Sequence, residues 1–179
     1  MSEKITYLIV AGYKARTERR LDDALALFKQ AVEAGQAATD QSLLAEALTG
    51  LGQIERDLRN NEAALRHYAE AAEIYRKLDK PQRIAHTVRH AADILRHEKR
   101  FQDAKRDYDE ALSIYRSHPE TRSLDLANAI RGLALTEGEL GDVPAARRLW
   151  QEARMLYEAV SVQAGVDESD EQLRRLENK

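Results

Sequence analysis

The chain has 179 residues, of which 43% are hydrophobic and 33% are charged. Its 28 basic and 31 acidic residues leave a formal net charge of -3, so no overall field favours nucleic acid or an anionic membrane. The absence of cysteine excludes disulfides, thiol nucleophiles and cysteine-ligated zinc, and it points to a reducing cytoplasm. This size and composition predict one helical domain.

The first predicted element is a helix that begins near Ile5. Residues 5–13 form a mostly apolar run, which is too short to cross a bilayer and is followed at once by Lys14 and Arg16. We therefore expect a buried helix, and neither a targeting signal nor a membrane anchor.

A pattern that recurs four times along the chain predicts one amphipathic helix each time. In each copy an alanine is followed by an aromatic residue four positions later and by a second alanine three positions after that. This i, i+4, i+7 spacing places the three side chains on one face of a helix. The copies are separated by 40, 40 and 42 residues and consist of Ala24, Phe28 and Ala31; Ala64, Tyr68 and Ala71; Ala104, Tyr108 and Ala111; and Ala146, Trp150 and Ala153.

Another helix is predicted ahead of each copy. It carries a branched aliphatic residue and, four positions later, a small residue that lets the aromatic side chain of the paired helix approach its backbone closely. These residues are Leu8 and Gly12, Leu48 and Gly52, Val88 and Ala92, and Ile130 and Ala134. Short polar turns within the pairs are predicted around Arg19–Arg20, Asn60–Asn61, Lys99–Arg100 and Gly141–Asp142.

The four helix pairs predict a single all-α domain over residues 1–179. Its repeats are expected at about 5–40, 45–80, 85–120 and 127–162. After the fourth pair, Gly165 is predicted to end a helix, and Ser169 with Gln172 to form a capping box. A capping helix at about 167–177 is expected to follow, because the terminal repeat of a solenoid lacks one neighbour.

The order of small residue, aromatic residue and alanine over each helix pair resembles the tetratricopeptide repeat, from Ile5 to about Val162. The period of 40 to 42 residues exceeds the family's usual unit of about 34 residues. It resembles the long-helix variety of kinesin light chains, spindle-orientation adaptors and bacterial peptide-sensing regulators. The resemblance implies a right-handed α-solenoid of four antiparallel helix pairs and a role as a protein-binding adaptor or scaffold.

In this family the first helix of each pair lines a concave groove, so the resemblance also implies which side chains face a partner. They are Ile9, Tyr13, Arg16, Gln53, Arg56, His86, Arg89, His90, Asp93, Arg96, His97, Asn128 and Arg131, and Gly50 and Gly132 occupy groove-facing positions as well. The arginines of this set are expected to focus positive potential and to select an acidic peptide segment, above all in repeats three and four. The alternative is an ordinary solvated face on which the arginines pair with Asp57, Asp93 and Glu139.

One stripe of this set also has the residue types of a metal site. His86, His90, Asp93 and His97 are spaced i, i+4, i+7 and i+11, which would permit two of them to bind zinc together. The flanking arginines oppose a divalent ion, so we expect no metal site and no cofactor. Another interpretation is that these histidines add positive charge to the groove in mild acid.

Other classes of function have less support in the sequence. The chain has no Gly-rich phosphate loop, no nucleophile elbow and no isolated pair of carboxylates, so we do not expect an enzyme. Acidic residues interrupt the basic positions and few aromatics are available to stack on bases, which argues against nucleic-acid binding. The remaining alternative is a homo-oligomer that self-associates through the apolar residues 5–10 or through the C-terminal helix.

Overall fold

The computed structural model describes residues 2–177, and every regular element within them is an α-helix. The helices in chain order are α1 (Ser2–Thr17), α2 (Leu21–Ala38), α3 (Gln41–Asp57), α4 (Asn61–Lys77), α5 (Pro81–His97), α6 (Phe101–Ser117), α7 (Ser123–Leu140), α8 (Val143–Ala159) and α9 (Gln163–Glu177). The first eight follow the four predicted helix pairs.

The chain divides after Ala91, inside α5, into two compact units. In the N-terminal unit, α2 packs against both α1 and α3, and α3 packs against α1 and α4. In the C-terminal unit, α7 packs against α6 and α8, and α9 packs against α8. The single domain predicted for residues 1–179 stays a prediction.

The turn within each helix pair is built in the same way four times. Arg19, Arg59 and Lys99 adopt the left-handed backbone conformation, with φ of 61°, 65° and 61°. The N–H of the next residue then donates to a carbonyl five residues earlier, at 2.8 to 2.9 Å, which closes the end of the helix. In the fourth pair Gly141 takes this place with φ of 86°. The predicted turn positions are confirmed.

Phe28 of α2 is the central side chain of the N-terminal unit. It is fully buried, and its ring lies against glycines of two different helices. A Cβ atom added at Gly12 of α1 would stand 2.8 Å from the ring, and one added at Gly50 of α3 would stand 2.1 Å from it. In the same way, a Cβ atom added at Gly52 of α3 would stand 2.7 Å from the ring of Tyr68 of α4. The expected approach of aromatic to small residue is confirmed here, whereas Gly50, which was expected to face a partner, contacts the ring of the preceding pair.

The C-terminal unit repeats this arrangement around Tyr108 of α6 and Tyr157 of α8, which are both buried. A Cβ atom at Gly132 of α7 would stand 2.4 Å from the ring of Tyr108, and one at Gly165 of α9 would stand 2.4 Å from the ring of Tyr157. Gly132 therefore serves packing, and the expectation that it faces a partner is wrong for the same reason as at Gly50.

The start of α9 also differs from the prediction. The helix begins at Gln163, ahead of the expected position 167, and Gly165 lies in its first turn instead of ending a helix. Ser169 is not a cap, because it is fully buried and its hydroxyl donates to the carbonyl of Gly165 at 2.7 Å. Glycine is required at position 165 because the ring of Tyr157 leaves no room for a larger residue there.

Candidate functional site

Two of the side chains expected to face a partner are buried in the N-terminal unit. Ile9 is 3% exposed and belongs to the core with Ile5 and Leu8. Gln53 is 6% exposed. The prediction that Ile9 is available to a partner is wrong, because α1 packs against α3 as well as α2 and so buries a second stripe of side chains. Helix α1 is therefore buried on two sides, and the sequence pattern identifies only the side that faces α2.

Arg16 of α1 is tied to α3 by two hydrogen bonds. Its Nε donates to Asp57 Oδ2 at 2.7 Å, and its Nη1 donates to Gln53 Oε1 at 3.1 Å. Arg56 also donates to the other oxygen of Asp57, at 3.1 Å from Nη2. Burial opposes ionisation of Asp57, but the hydrogen bonds from Arg16 and Arg56 outweigh it and hold the pKa of this carboxyl below its ordinary value. The predicted alternative, in which an arginine pairs with Asp57, is confirmed for these two.

Arg56, His86, Arg89 and His90 form a cluster in the N-terminal unit, here called the arginine–histidine cluster. Arg56 Nη1 of α3 lies 3.0 Å from His90 Nδ1, and Arg89 Nη2 of α5 lies 2.8 Å from His90 Nε2. The ring of His90 stacks on Tyr68 with centroids 5.9 Å apart and meets the ring of His86 edge-on at 4.6 Å. Guanidinium groups only donate and a neutral imidazole has one acceptor nitrogen, so the four side chains of the cluster carry more donors than acceptors.

Tyr13 is a half-buried member of the predicted set on α1. Its ring meets that of Phe28 edge-on, with centroids 5.0 Å apart. Burial, followed by the nearby carboxylate of Glu46, raises the pKa of Tyr13 to about 12. Glu46 also lies 4.0 Å from Arg83, measured from carboxylate oxygen to guanidinium nitrogen. Tyr13 thus presents a neutral hydroxyl beside a charged pair.

In the C-terminal unit, the polar members of the predicted set bind side chains of the unit itself. The hydroxyl of Tyr108 donates to Asp93 Oδ1 at 2.6 Å, and the hydroxyl of Tyr157 donates to Asn128 Oδ1 at 2.8 Å. Burial and the charge of Asp93 raise the pKa of Tyr108 above its ordinary value. Asp93 thus makes a tyrosine contact that the sequence pattern did not indicate, and its expected pairing with arginine stays a prediction.

Arg131 of α7 makes a two-point ion pair with a residue that the sequence pattern did not indicate. Its Nε and Nη2 donate to the two carboxylate oxygens of Glu168 in α9, both at 2.5 Å. These hydrogen bonds from Arg131 to Glu168 raise the pKa of the guanidinium. Arg96 lies beside His97, with Nη2 at 3.1 Å from Nε2. The expectation of a basic face in repeat four is wrong, because α9 brings its own carboxylate to Arg131.

The register of the repeats contains the signal that could have identified Glu168. Glu46, His86, Asn128 and Glu168 follow one another at steps of 40, 42 and 40 residues, so Glu168 occupies the same repeat position in a fifth first helix. Because the sequence pattern predicts a helix end at Gly165, it does not reveal this fifth first helix.

The candidate metal stripe is divided between the two units. His86 and His90 are in ring contact in the N-terminal unit, whereas Asp93 and His97 belong to the C-terminal unit. Over residues 2–177, no group of three or more His, Asp and Glu side chains is arranged to hold a metal ion. In that same range, no helix combines the length and the apolar character that a membrane span requires.

Comparison with known proteins places these features in context. The family model described as tetratricopeptide repeat matches residues 5–77 and 83–161. No curated protein matches the chain.

Among solved structures, the chain is similar to BtubC (BKLC) from P. vanneervenii, with 20% identity and a TM-score of 0.81 over 88% of this chain and 64% of that one. It is similar to a Rap protein complexed with Competence and Sporulation Factor, with 18% identity and a TM-score of 0.78 over 97% of this chain and 48% of that one. It is also similar to the apo form of RapI, with 14% identity and a TM-score of 0.84 over 93% and 60%.

At these identities the likeness concerns the fold, and the predicted all-α solenoid class is confirmed. The chain spans between about half and two thirds of the length of each of these proteins.

Proposed function

Because the chain belongs to the tetratricopeptide repeat family, we propose that it is an interaction module that holds an acidic peptide segment of another protein. Its helix-pair repeats are a scaffold for protein–protein interaction. The proposed contact surface is the arginine–histidine cluster of the N-terminal unit, on α3 and the first part of α5. The role is binding, and no catalytic step is assigned to it.

The observation that carries the proposal is the convergence of Arg56 and Arg89 on the two nitrogens of one imidazole, that of His90. Two guanidinium groups held against one imidazole attract a carboxylate placed between them, in addition to Asp57, which already accepts a hydrogen bond from Arg56 at 3.1 Å. Guanidinium groups also bind carboxylates through paired hydrogen bonds, which are stronger than hydrogen bonds between neutral groups. An acidic side chain or a carboxyl terminus therefore fits this cluster better than a neutral ligand does.

The ion pairs favour the N-terminal unit over repeat four. Arg16 and Arg56 share the carboxylate of Asp57, and Arg83 lies 4.0 Å from Glu46. Arg131 of the C-terminal unit binds both oxygens of Glu168. The acidic ligand is therefore assigned to the N-terminal unit and no longer to repeat four.

One of the similar structures supports the general role. The Rap protein was solved in complex with Competence and Sporulation Factor, and this chain aligns over 97% of its own length with that protein. A fold of this kind thus accommodates another molecule.

Binding of a short fluorescein-labelled polyglutamate peptide tests the assignment. The double variant Arg56→Gln, Arg89→Gln is expected to bind at least roughly tenfold more weakly than the unmodified chain, because it loses two charge-assisted contacts. The matched control is Arg66→Gln, which removes an exposed arginine from α4, a helix of the same unit that carries none of the four cluster residues. Equal loss in the control and the double variant, or no loss in either, contradicts the proposal.

A second candidate function is self-association through α1. The predicted apolar surface at residues 5–10 is mostly in the core, but Tyr7 and Val10 remain 70% and 62% exposed on adjacent turns of the helix. Their burial against a second copy would make the chain a homodimer. Sedimentation of the unmodified chain and of Tyr7→Ser, Val10→Ser distinguishes the two roles: a dimer that the double variant converts to a monomer supports self-association, and a monomer in both excludes it.

A further inference from the structure

Helix α1 exposes a face that the first helices of the later pairs bury. Val10 of this face is 62% exposed. The residues at the same repeat position in α3, α5 and α7 each lie against the aromatic ring of the preceding pair. These contacts are Gly50 with Phe28, His90 with Tyr68, and Gly132 with Tyr108. This side of a first helix is here called the stacking face, because consecutive pairs pack through it.

Tyr7 lies on the stacking face one turn before Val10. It is 70% exposed, whereas the residues at its position in α3, α5, α7 and α9 are small and fully buried. These residues are Ala47, Thr87, Ala129 and Ser169. A helix pair stacked on α1 in the way that consecutive pairs stack would collide with the larger side chains of Tyr7 and Val10. The stacking face of α1 therefore fits an occupant with a different geometry.

The stacking face of α1 is a stripe with opposite charges at its two ends. Glu3, Tyr7, Val10 and Lys14 are spaced i, i+4, i+7 and i+11, which places them on one side of the helix, and all four are exposed. Lys14 takes the place of the fully buried Ile54 of α3, so an apolar helix laid over the stripe would bury an unpaired ammonium group. A helix that covers this stripe must bring an acid to one end, a base to the other and apolar residues to the centre.

A second copy of α1 that runs antiparallel meets these requirements. Positions 3 and 14 are symmetric about the same point of the helix as positions 7 and 10. In a two-fold arrangement centred there, Tyr7 packs on the partner's Val10, and Glu3 meets the partner's Lys14. Each charged residue then lies about 8 Å from the centre along the helix axis. The stripe is thus complementary to itself, as a two-fold interface requires.

We propose that two copies of this chain associate through the stacking face of α1, with Tyr7 and Val10 at the centre and ion pairs of Glu3 with Lys14 at both ends. The proposal rests on the second candidate function above and gives that self-association its geometry. A single helix pair buries less surface than a standard protein–protein interface, so the dimer is weak, with a dissociation constant on the order of 10 to 100 µM. Assembly ends at two copies, because each stacking face is covered by its equivalent.

Charge reversal, followed by sedimentation equilibrium over a range of concentrations, tests the antiparallel arrangement. Glu3→Lys and Lys14→Glu each place like charges together at both ends of the dimer, so each is expected to weaken it roughly tenfold. An equimolar mixture of these two variants restores opposite charges at both ends, and so does the double variant Glu3→Lys, Lys14→Glu. Both are expected to recover the affinity of the unmodified chain.

Matched controls on α4 separate this effect from changes in net charge and at helix ends. Glu62→Lys reverses an exposed acid in the first turn of α4, and Lys77→Glu reverses an exposed base in its last turn. These changes alter the helix dipole interactions in the same way as the α1 variants do. Both are expected to leave dimerisation unchanged. Equal weakening by the controls overturns the proposed pairing of Glu3 with Lys14.

The outcomes distinguish the proposed geometry from the self-association on which it rests. A dimer that is lost in Tyr7→Ser, Val10→Ser but is unaffected by both charge reversals supports association through α1 and overturns the antiparallel arrangement. A chain that stays a monomer at about 1 mM, well above the expected dissociation constant, overturns both. Failure of the two single variants to associate when mixed, or assembly beyond two copies, also overturns the proposal.

Discussion

Gly50 of α3 lies against Phe28 of α2 so closely that a single added methyl group has no room. Its Cβ atom would stand 2.1 Å from Cε1 of the ring, and the same ring already contacts Gly12 on its other helix neighbour. The aromatic side chain therefore fixes the spacing of α1, α2 and α3 in the N-terminal unit. A residue implied to face a partner proves to be part of the packing between consecutive pairs.

We expect Gly50→Ala to destabilise the chain by about 2 to 3 kcal/mol, because the Phe28 ring is fully buried and has no space to move into. The control is Gly138→Ala, since an added Cβ at Gly138 of α7 meets nothing within 4 Å. That change is expected to stabilise the chain by about 0.5 to 1 kcal/mol through helix propensity. Urea unfolding measures both; equal effects of the two substitutions contradict this account of Gly50.

Asp57 is expected to make stability depend on pH in the acid range. Its folded-state pKa is lower than its ordinary value, so its contribution is present above the ordinary aspartate range and is lost as pH falls through the folded pKa. The urea midpoint of the unmodified chain should therefore fall more steeply than that of Asp57→Asn below about pH 4. Parallel pH profiles of the two proteins would show that Arg16 and Arg56 do not stabilise the ionised carboxyl.

Asp107 of α6 is expected to act in the opposite sense. Burial raises its pKa despite the neighbouring Arg106, so its contribution to stability is present at low pH and is lost as pH rises through the folded pKa. Asp107→Asn, which cannot ionise, should raise the melting temperature at pH 7 and change it little at pH 3. A lower melting temperature at pH 7 would show that the ionised carboxyl is favourably placed after all.

The repeat pattern was sufficient for the fold, because its evidence is local. The alanine and aromatic positions around Tyr68, and the polar turn at Asn60, follow from spacing along one helix and from turn chemistry. The site was less accessible, because its electrostatics depend on side chains from different helices. Glu168 of α9 pairs with Arg131 of α7, with α8 between them in the chain. Gly165 has the sequence signal of a helix end, whereas the Tyr157 ring is what requires glycine there.

The same limit explains why the sequence pattern predicts a basic surface above all in repeats three and four, whereas we assign the acidic ligand to the N-terminal unit. Arg56, Arg89 and Arg131 are alike in sequence, and they differ in what the fold places beside them. Arg56 contacts His90 and Asp57, Arg89 contacts His90, and Arg131 contacts Glu168. A charge pattern along one helix does not contain that information.

The most direct test of the central claim is to map where an acidic peptide binds, using backbone amide chemical shifts of the labelled chain titrated with polyglutamate. The account predicts that the largest changes surround Arg56, Arg89 and His90 on α3 and α5, and that they disappear in Arg56→Gln, Arg89→Gln. Chemical-shift changes confined to α2, α4, α6 and α8, or changes that persist in the double variant, would contradict it.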